Sequence, residues 1–170
     1  MDTAAPLILT LQFDERSFAF FDEQRRRYFP AERNFIPAHL TLFHALPGEH
    51  LQTIQQDIEE CASNQEVFGL DVIGVRSLGR GVAYALASPE LAAMRRQLAK
   101  KWNDWLKPQD RQNHNPHVTV QNKVDPTQAR ALLEDLSEGF QPFQVTGMAL
   151  DLWWYRGGPW EKVHSFPFAL

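Results

Sequence analysis

Two stretches decide the reading of this chain: His39-Leu40-Thr41-Leu42 (HLTL) and His117-Val118-Thr119-Val120 (HVTV). In an extended strand, residues i and i+2 leave the same face. Each tetrapeptide therefore sets a histidine and a threonine on one side, while Leu40 and Leu42, or Val118 and Val120, anchor the other side in a core. The same signals recur around both copies. An apolar run from Pro6 to Phe13 and a helix over 14–29, capped by Asp14, precede the first. A strand at 82–87 and a helix at 88–106 opened by Ser88 and Pro89 precede the second. That helix carries Leu91, Met94, Leu98, Trp102 and Trp105 on one stripe. After each copy come a loop, an amphipathic helix and a strand led by Phe68 or Phe143. The first of these helices starts near Gly48 with Leu51, Ile54, Ile58 and Cys61 on one face. The second starts at Asp125-Pro126 with Ala129, Leu132, Leu133 and Leu136 inward.

Strand candidates fall at 39–44, 67–76, 81–87, 117–122, 142–155 and 160–168, the last two divided by the turn Gly157-Gly158-Pro159. This weak internal repeat predicts an α+β fold of two lobes facing each other across a shared cleft, with one His-x-Thr on each side. No linker-like segment separates the halves, so residues 1–170 read as a single bilobal domain.

The bulk properties narrow the function classes. A chain of 170 residues with 44% hydrophobic and 22% charged residues has room for a full core. Five Trp, three Tyr and twelve Phe supply more rings than a core of this size requires. A net charge of −4 argues against avid, sequence-independent nucleic-acid binding, though not against an enzyme that touches one or two phosphates. The lone Cys61 excludes an internal disulfide and a multi-cysteine zinc site. The opening MDTAAPLILTL has no basic leader region, and no run nears the roughly 18 apolar residues of a membrane span. A cytoplasmic monomer that does not contact a membrane is the expectation.

Two imidazoles and two hydroxyls facing one cavity suit phosphodiester chemistry. One neutral imidazole takes a proton from the attacking oxygen and the other, protonated, gives one to the leaving oxygen. The hydroxyls donate to the phosphate oxygens on which charge builds. No metal or cofactor is needed. His114 and His117 form an H-x-x-H interrupted by Pro116 with no carboxylate or cysteine nearby, which is a poor zinc set. His44, five residues after His39, falls on the opposite face of a regular strand. Phe43 and Gln121 continue the His-x-Thr faces by alternation, where they either line the cleft or pack at the strand ends. In LDLWWYRGGPW (150–160), Trp153 and Tyr155 share one face, available to stack on a base or to pack between lobes. Arg25, Arg26, Arg27 and Arg33, and Arg95, Arg96, Lys100 and Lys101, are basic groups that either steer RNA or, as is usual for helix faces, are simply solvated. Arg80, between glycines, and Arg156, beside the hairpin turn, are single candidates for phosphate contact.

The paired motifs resemble the His-x-Thr-x motifs of the 2H phosphoesterase superfamily, which includes bacterial 2′–5′ RNA ligase-like proteins and cyclic phosphodiesterases. IPAHLTLFHALP, HNPHVTVQNKV and the Trp-rich hairpin carry the resemblance over essentially the whole chain. Val120 stands where the family often has leucine. The resemblance implies a bilobal, pseudo-twofold duplicated fold with antiparallel sheets lining a central groove and helices outside. It implies that His39, Thr41, His117 and Thr119 are catalytic, with His117 as base and His39 as acid or the reverse. The implied substrate is a 2′,3′-cyclic phosphate end of RNA or a nucleotide, hydrolysed to a 2′-phosphate, or an RNA end joined reversibly through a 2′–5′ bond. A small cyclic phosphate such as an ADP-ribose product, or a slow RNA-end-binding module, are the competing expectations.

Overall fold

The apolar run becomes β1 (Leu7–Phe13), and the Asp14 carboxylate caps α1 (Glu15–Tyr28) by accepting from the Ser17 amide at 2.9 Å. The computed structural model describes residues 5–170; residues 1–4 of the stretch read for a leader lie outside the described residues. Ser88 and Asp125 cap α3 (Pro89–Lys101) and α5 (Pro126–Ser137) in the same way, each followed by proline at the first helical turn. α2 (Leu51–Ser63) begins later than its pattern predicts, because Gly48–His50 forms a separate 3-10 turn. α3 stops before Trp105, which sits in the 3-10 turn Asn103–Trp105. A one-turn helix, α4 (Pro108–Arg111), has no counterpart in the expected elements. No helix among the described residues is long and apolar enough to cross a membrane.

The remaining strands are β2 (Leu40–Leu46), β3 (Phe68–Ser77), β4 (Val82–Ala87), β5 (His117–Gln121), β6 (Phe143–Trp154) and β7 (Glu161–Pro167). They form one antiparallel sheet in the order β2-β1-β6-β3-β4-β5, with β7 also paired to β6. From either end the order runs through a His-x-Thr strand, then the strand before it in the chain, then one of the two central strands. β6 is long enough to serve three partners. Its first five residues pair with β3, and its remainder runs between β1 and β7. β2 and β5, at opposite ends of the order, nevertheless lie side by side, and the His114 Nε2–H donates across to the Thr41 carbonyl at 2.8 Å.

Both His-x-Thr strands carry a bulge at the same place. Leu9 pairs with Phe43 and Thr10 with Thr41, so Leu42 is the extra residue; Val82 pairs with Gln121 and Ala83 with Thr119, so Val120 is. A bulge turns two successive side chains the same way. Leu42 with Phe43, and Val120 with Gln121, are accordingly buried together. Gly81 backs the second bulge closely, since a Cβ there would stand 1.9 Å from the Gln121 carbonyl oxygen.

Two of these arginines are core residues. Arg25 and Arg95 are 5% and 8% exposed, whereas Arg26 and Arg96 face solvent as expected. Arg25 lies on the inward stripe Ser17-Phe21-Arg25 of α1, and Arg95 on the stripe Leu91-Arg95-Leu98 of α3. Each crosses to the other half of the chain. Arg25 donates to the Thr119 carbonyl at 3.0 Å and to Asn34, and stacks over Phe29. Arg95 donates to the Leu42 and Asp110 carbonyls, both at 2.8 Å, and stacks over Phe43. Burial pulls both guanidinium pKa values down; Arg25 falls to about 10, which leaves it charged at neutral pH.

Candidate active site

Strand alternation sorts the two motifs as their sequences require. Leu40, Leu42, Val118 and Val120 are fully buried, while His39, Thr41, His117 and Thr119 are half-buried on the opposite face. The two imidazoles are held alike. His39 Nδ1 lies 2.8 Å from the Pro37 carbonyl and His117 Nδ1 2.8 Å from the Asn115 carbonyl, each acceptor two residues upstream. A carbonyl only accepts, so each Nδ1 carries a hydrogen and, in the neutral ring, each Nε2 keeps its lone pair. Burial pushes the His39 pKa down to about 4, against the Pro37 bond, with Arg25, His117 and His44 further opposing its proton. His117 is lowered too, first by burial and then by Arg76 and His44. Two Nε2 lone pairs and two threonine hydroxyls without a protein partner among the described residues thus share one region. Such a set can accept, hold and return protons at a phosphorus centre.

A family model described as the 2′-5′ RNA ligase superfamily matches residues 13–159. The chain belongs to that superfamily. No curated protein sequence matches it significantly. Among solved structures, TT0787 of Thermus thermophilus superposes with a TM-score of 0.70 at 15% identity, covering 96% of this chain and 97% of that one. Escherichia coli LigT in its apo form gives 0.62 at 14% identity over 99% and 100% of the two chains, and LigT complexed with 3′-AMP gives 0.63 at 15% over 98% and 99%. At these identities the likeness is one of fold.

The other candidates of this superfamily member fall unevenly. The bulges remove Phe43 and Gln121 from the His-x-Thr face. Phe43 is a core ring 5.1 Å from Trp102, and Gln121 is buried with its Oε1 unpaired. Arg80 is exposed in the turn between β3 and β4, where its carbonyl accepts from Val124. Arg156 is exposed and held by Glu161 at 3.2 Å and by the Trp154 ring, and Tyr155 is exposed outside the cavity that Trp153 lines. The arginine on the correct face is Arg76, which sequence reasoning passed over. It pairs with Ala83, which pairs with Thr119, so the three side chains leave one face in a row, with only a methyl between cation and hydroxyl. The first bulge also reverses the parity after Phe43. His44 therefore turns outward beside the site, where its charge opposes protonation of His39, His114 and His117. Its Nδ1 lies 3.0 Å from Asp110, whose carboxylate also accepts the His44 and Ala45 amides. Those bonds outweigh burial and hold the carboxyl below the usual carboxylate range.

The burial of His39 has a measurable consequence. Its pKa lies near 4 folded and about 6.5 unfolded, so the unfolded chain binds the extra proton between those values. Stability is therefore full above pH 6.5 and is lost as pH falls toward 4. Going from pH 7 to pH 5 should cost on the order of 2 kcal/mol through this residue. Urea midpoints at the two pH values should show that loss in the natural protein and a smaller one in His39→Gln; equal losses would contradict the assignment.

Proposed function

We propose that this protein is a metal-independent phosphodiesterase that opens 2′,3′-cyclic phosphate ends of RNA or nucleotides to 2′-phosphates, with His39 and His117 as its acid–base pair and Thr41 and Thr119 binding the phosphate. The observation that carries this reading is the matched pair of Nδ1–carbonyl bonds, which leaves both Nε2 atoms free on the face that carries both threonine hydroxyls. Two hydroxyls and one imidazolium can supply the charge stabilisation that a metal gives elsewhere. The strand order, the same from either end, supports a duplicated, pseudo-twofold domain over residues 1–170 with the four side chains in a groove between its halves. Membership of a superfamily in which E. coli LigT has been solved with 3′-AMP and with phosphate supports a nucleotide substrate.

His39 is neutral in the free protein, and a bound phosphodiester anion opposes the desolvation that keeps it so. The pair can then hold the single proton that the acid needs. The test is to incubate the purified protein with 2′,3′-cyclic AMP, and with a matched oligonucleotide ending in a cyclic phosphate, in excess EDTA. Phosphorus NMR should show the 2′-phosphate. Turnover that requires added metal, or none on either substrate, rejects the reading.

A further inference from the structure

Two matching rows of side chains cross the sheet on the face of the histidines. In one, Thr41 of β2 pairs with Thr10 of β1, which pairs with Asp151 of β6. In the other, Thr119 of β5 pairs with Ala83 of β4, which pairs with Arg76 of β3. The rows occupy equivalent places, because β2-β1-β6 and β5-β4-β3 are built in the same order. A carboxylate in one half thus corresponds to a guanidinium in the other.

The two charges are satisfied differently. Asp151 is buried and fully engaged: it accepts from Ser165 at 2.6 Å and from Gln12 at 3.1 Å, and pairs with Lys162 at 3.6 Å. β7 covers that side of β6. Arg76 is half-buried, yet it forms no ion pair among the described residues. Residues 73–77 of β3 pair only with β4 among the described residues, so no strand closes the far edge beside Arg76. A partly desolvated cation without a carboxylate is costly to keep unless an anion comes to it.

We propose that Arg76 is a phosphate-binding residue, donating to a non-bridging oxygen of the reacting phosphate that the Thr119 hydroxyl also holds. The inference rests on the phosphodiesterase reading above for where that phosphate sits. Strands two apart in a sheet put the Arg76 and Thr119 backbones about 10 Å from each other. An extended arginine covers most of that gap, and an oxygen resting on the Thr119 hydroxyl closes it. The charge of Arg76 already reaches His117, whose protonation it opposes. As an attacking oxygen bonds to phosphorus, the non-bridging oxygens gain charge, which a guanidinium fork stabilises more than a neutral hydroxyl does. Asp151, in the equivalent place, offers that oxygen no donor. The anion is therefore gripped from the β3 side alone.

Calorimetric binding of inorganic phosphate to the purified protein tests this without turnover. Arg76→Met should weaken phosphate about tenfold or more, as loss of a charged hydrogen bond does. Arg80→Met removes the same charge from the exposed turn four residues on, and should change binding by less than about twofold. With 2′,3′-cyclic AMP, Arg76→Met should lose about 100-fold in kcat, the usual cost of one transition-state donor, with a smaller rise in KM. Arg76→Lys should recover part of both losses, since it keeps the charge without the fork. In NMR titrations His117 should take up its proton at higher pH in Arg76→Met than in the natural protein. If Arg76→Met fails to fold, Arg76→Lys carries the test. Phosphate binding and turnover at natural levels in the Arg76 variants, or equal losses in Arg80→Met, overturn the proposal and leave the phosphodiesterase intact. Losses that follow the melting temperature with the His117 titration unmoved make Arg76 structural and also overturn it. Arg76-dependent phosphate binding by a protein that hydrolyses no cyclic phosphate supports the anchor and rejects the phosphodiesterase instead.

Discussion

Replacing either His39 or His117 by alanine should lower turnover of 2′,3′-cyclic AMP by about 100-fold or more, the usual yield of one positioned acid or base. The fold should survive both changes. Each imidazole is half-buried and makes one protein hydrogen bond, to a carbonyl of its own approach segment, so its loss should cost about 1 kcal/mol. Melting curves separate lost chemistry from lost structure. The two variants should then part company on a second substrate. Bis(p-nitrophenyl) phosphate releases an anion that needs no proton, so an enzyme without its acid loses little on it, whereas one without its base still lacks an activated water. If His39 faces the leaving oxygen, His39→Ala should recover most of its deficit on this ester and His117→Ala should not. Recovery by His117→Ala alone would exchange the two roles. Full activity of either variant on the cyclic nucleotide would remove these histidines from the mechanism.

Most of the element order was legible because alternation and helical spacing report burial directly. Four apolar residues flank two histidines and two threonines, and a strand can sort such a pattern in only one way. A bulge has no such signature. Leu42-Phe43 reads as continued alternation, yet one extra residue sends Phe43 under Arg95 and brings His44 round to the site. For this reason alternation leaves Phe43 and Gln121 free either to line the cleft or to pack, of which the structure has the packing, and puts His44 on the face opposite the one it takes. The buried arginines had left a trace, since Arg25 stands four residues after Phe21 and Arg95 four after Leu91, both on apolar stripes. Composition favours exposure for arginine, and among the partners that reverse that preference the Thr119 and Leu42 carbonyls belong to the other half of the chain. The cavity beside His39 joins residues from 10 to 162, a conjunction that no local pattern contains.

Those crossing arginines carry the largest expected effect on stability. Arg95→Met keeps an apolar stem over Phe43 but removes the fork that satisfies the Leu42 and Asp110 carbonyls. Each acceptor left buried without a partner costs about 1–3 kcal/mol, so the pair should cost about 3–4 kcal/mol, a large part of a small domain's stability. Arg95→Lys should recover little, because one ammonium does not reproduce a planar fork spanning two carbonyls. Arg96→Met, one residue on and facing solvent, is the control and should change stability by no more than about 0.5 kcal/mol. Urea midpoints read the difference, and a gap below about 1 kcal/mol between the Arg95 and Arg96 variants would refute the argument. The same bond also concerns the site. Arg95 grips the carbonyl immediately after Thr41, and Arg25 grips that of Thr119 itself, so each half fixes the threonine strand of the other. Slack in either grip moves a hydroxyl relative to the opposite imidazole, and misplacement of about 1 Å can cost about 100-fold in rate. Arg95→Met, assayed well below its melting temperature, should therefore lose more activity than its folded fraction accounts for.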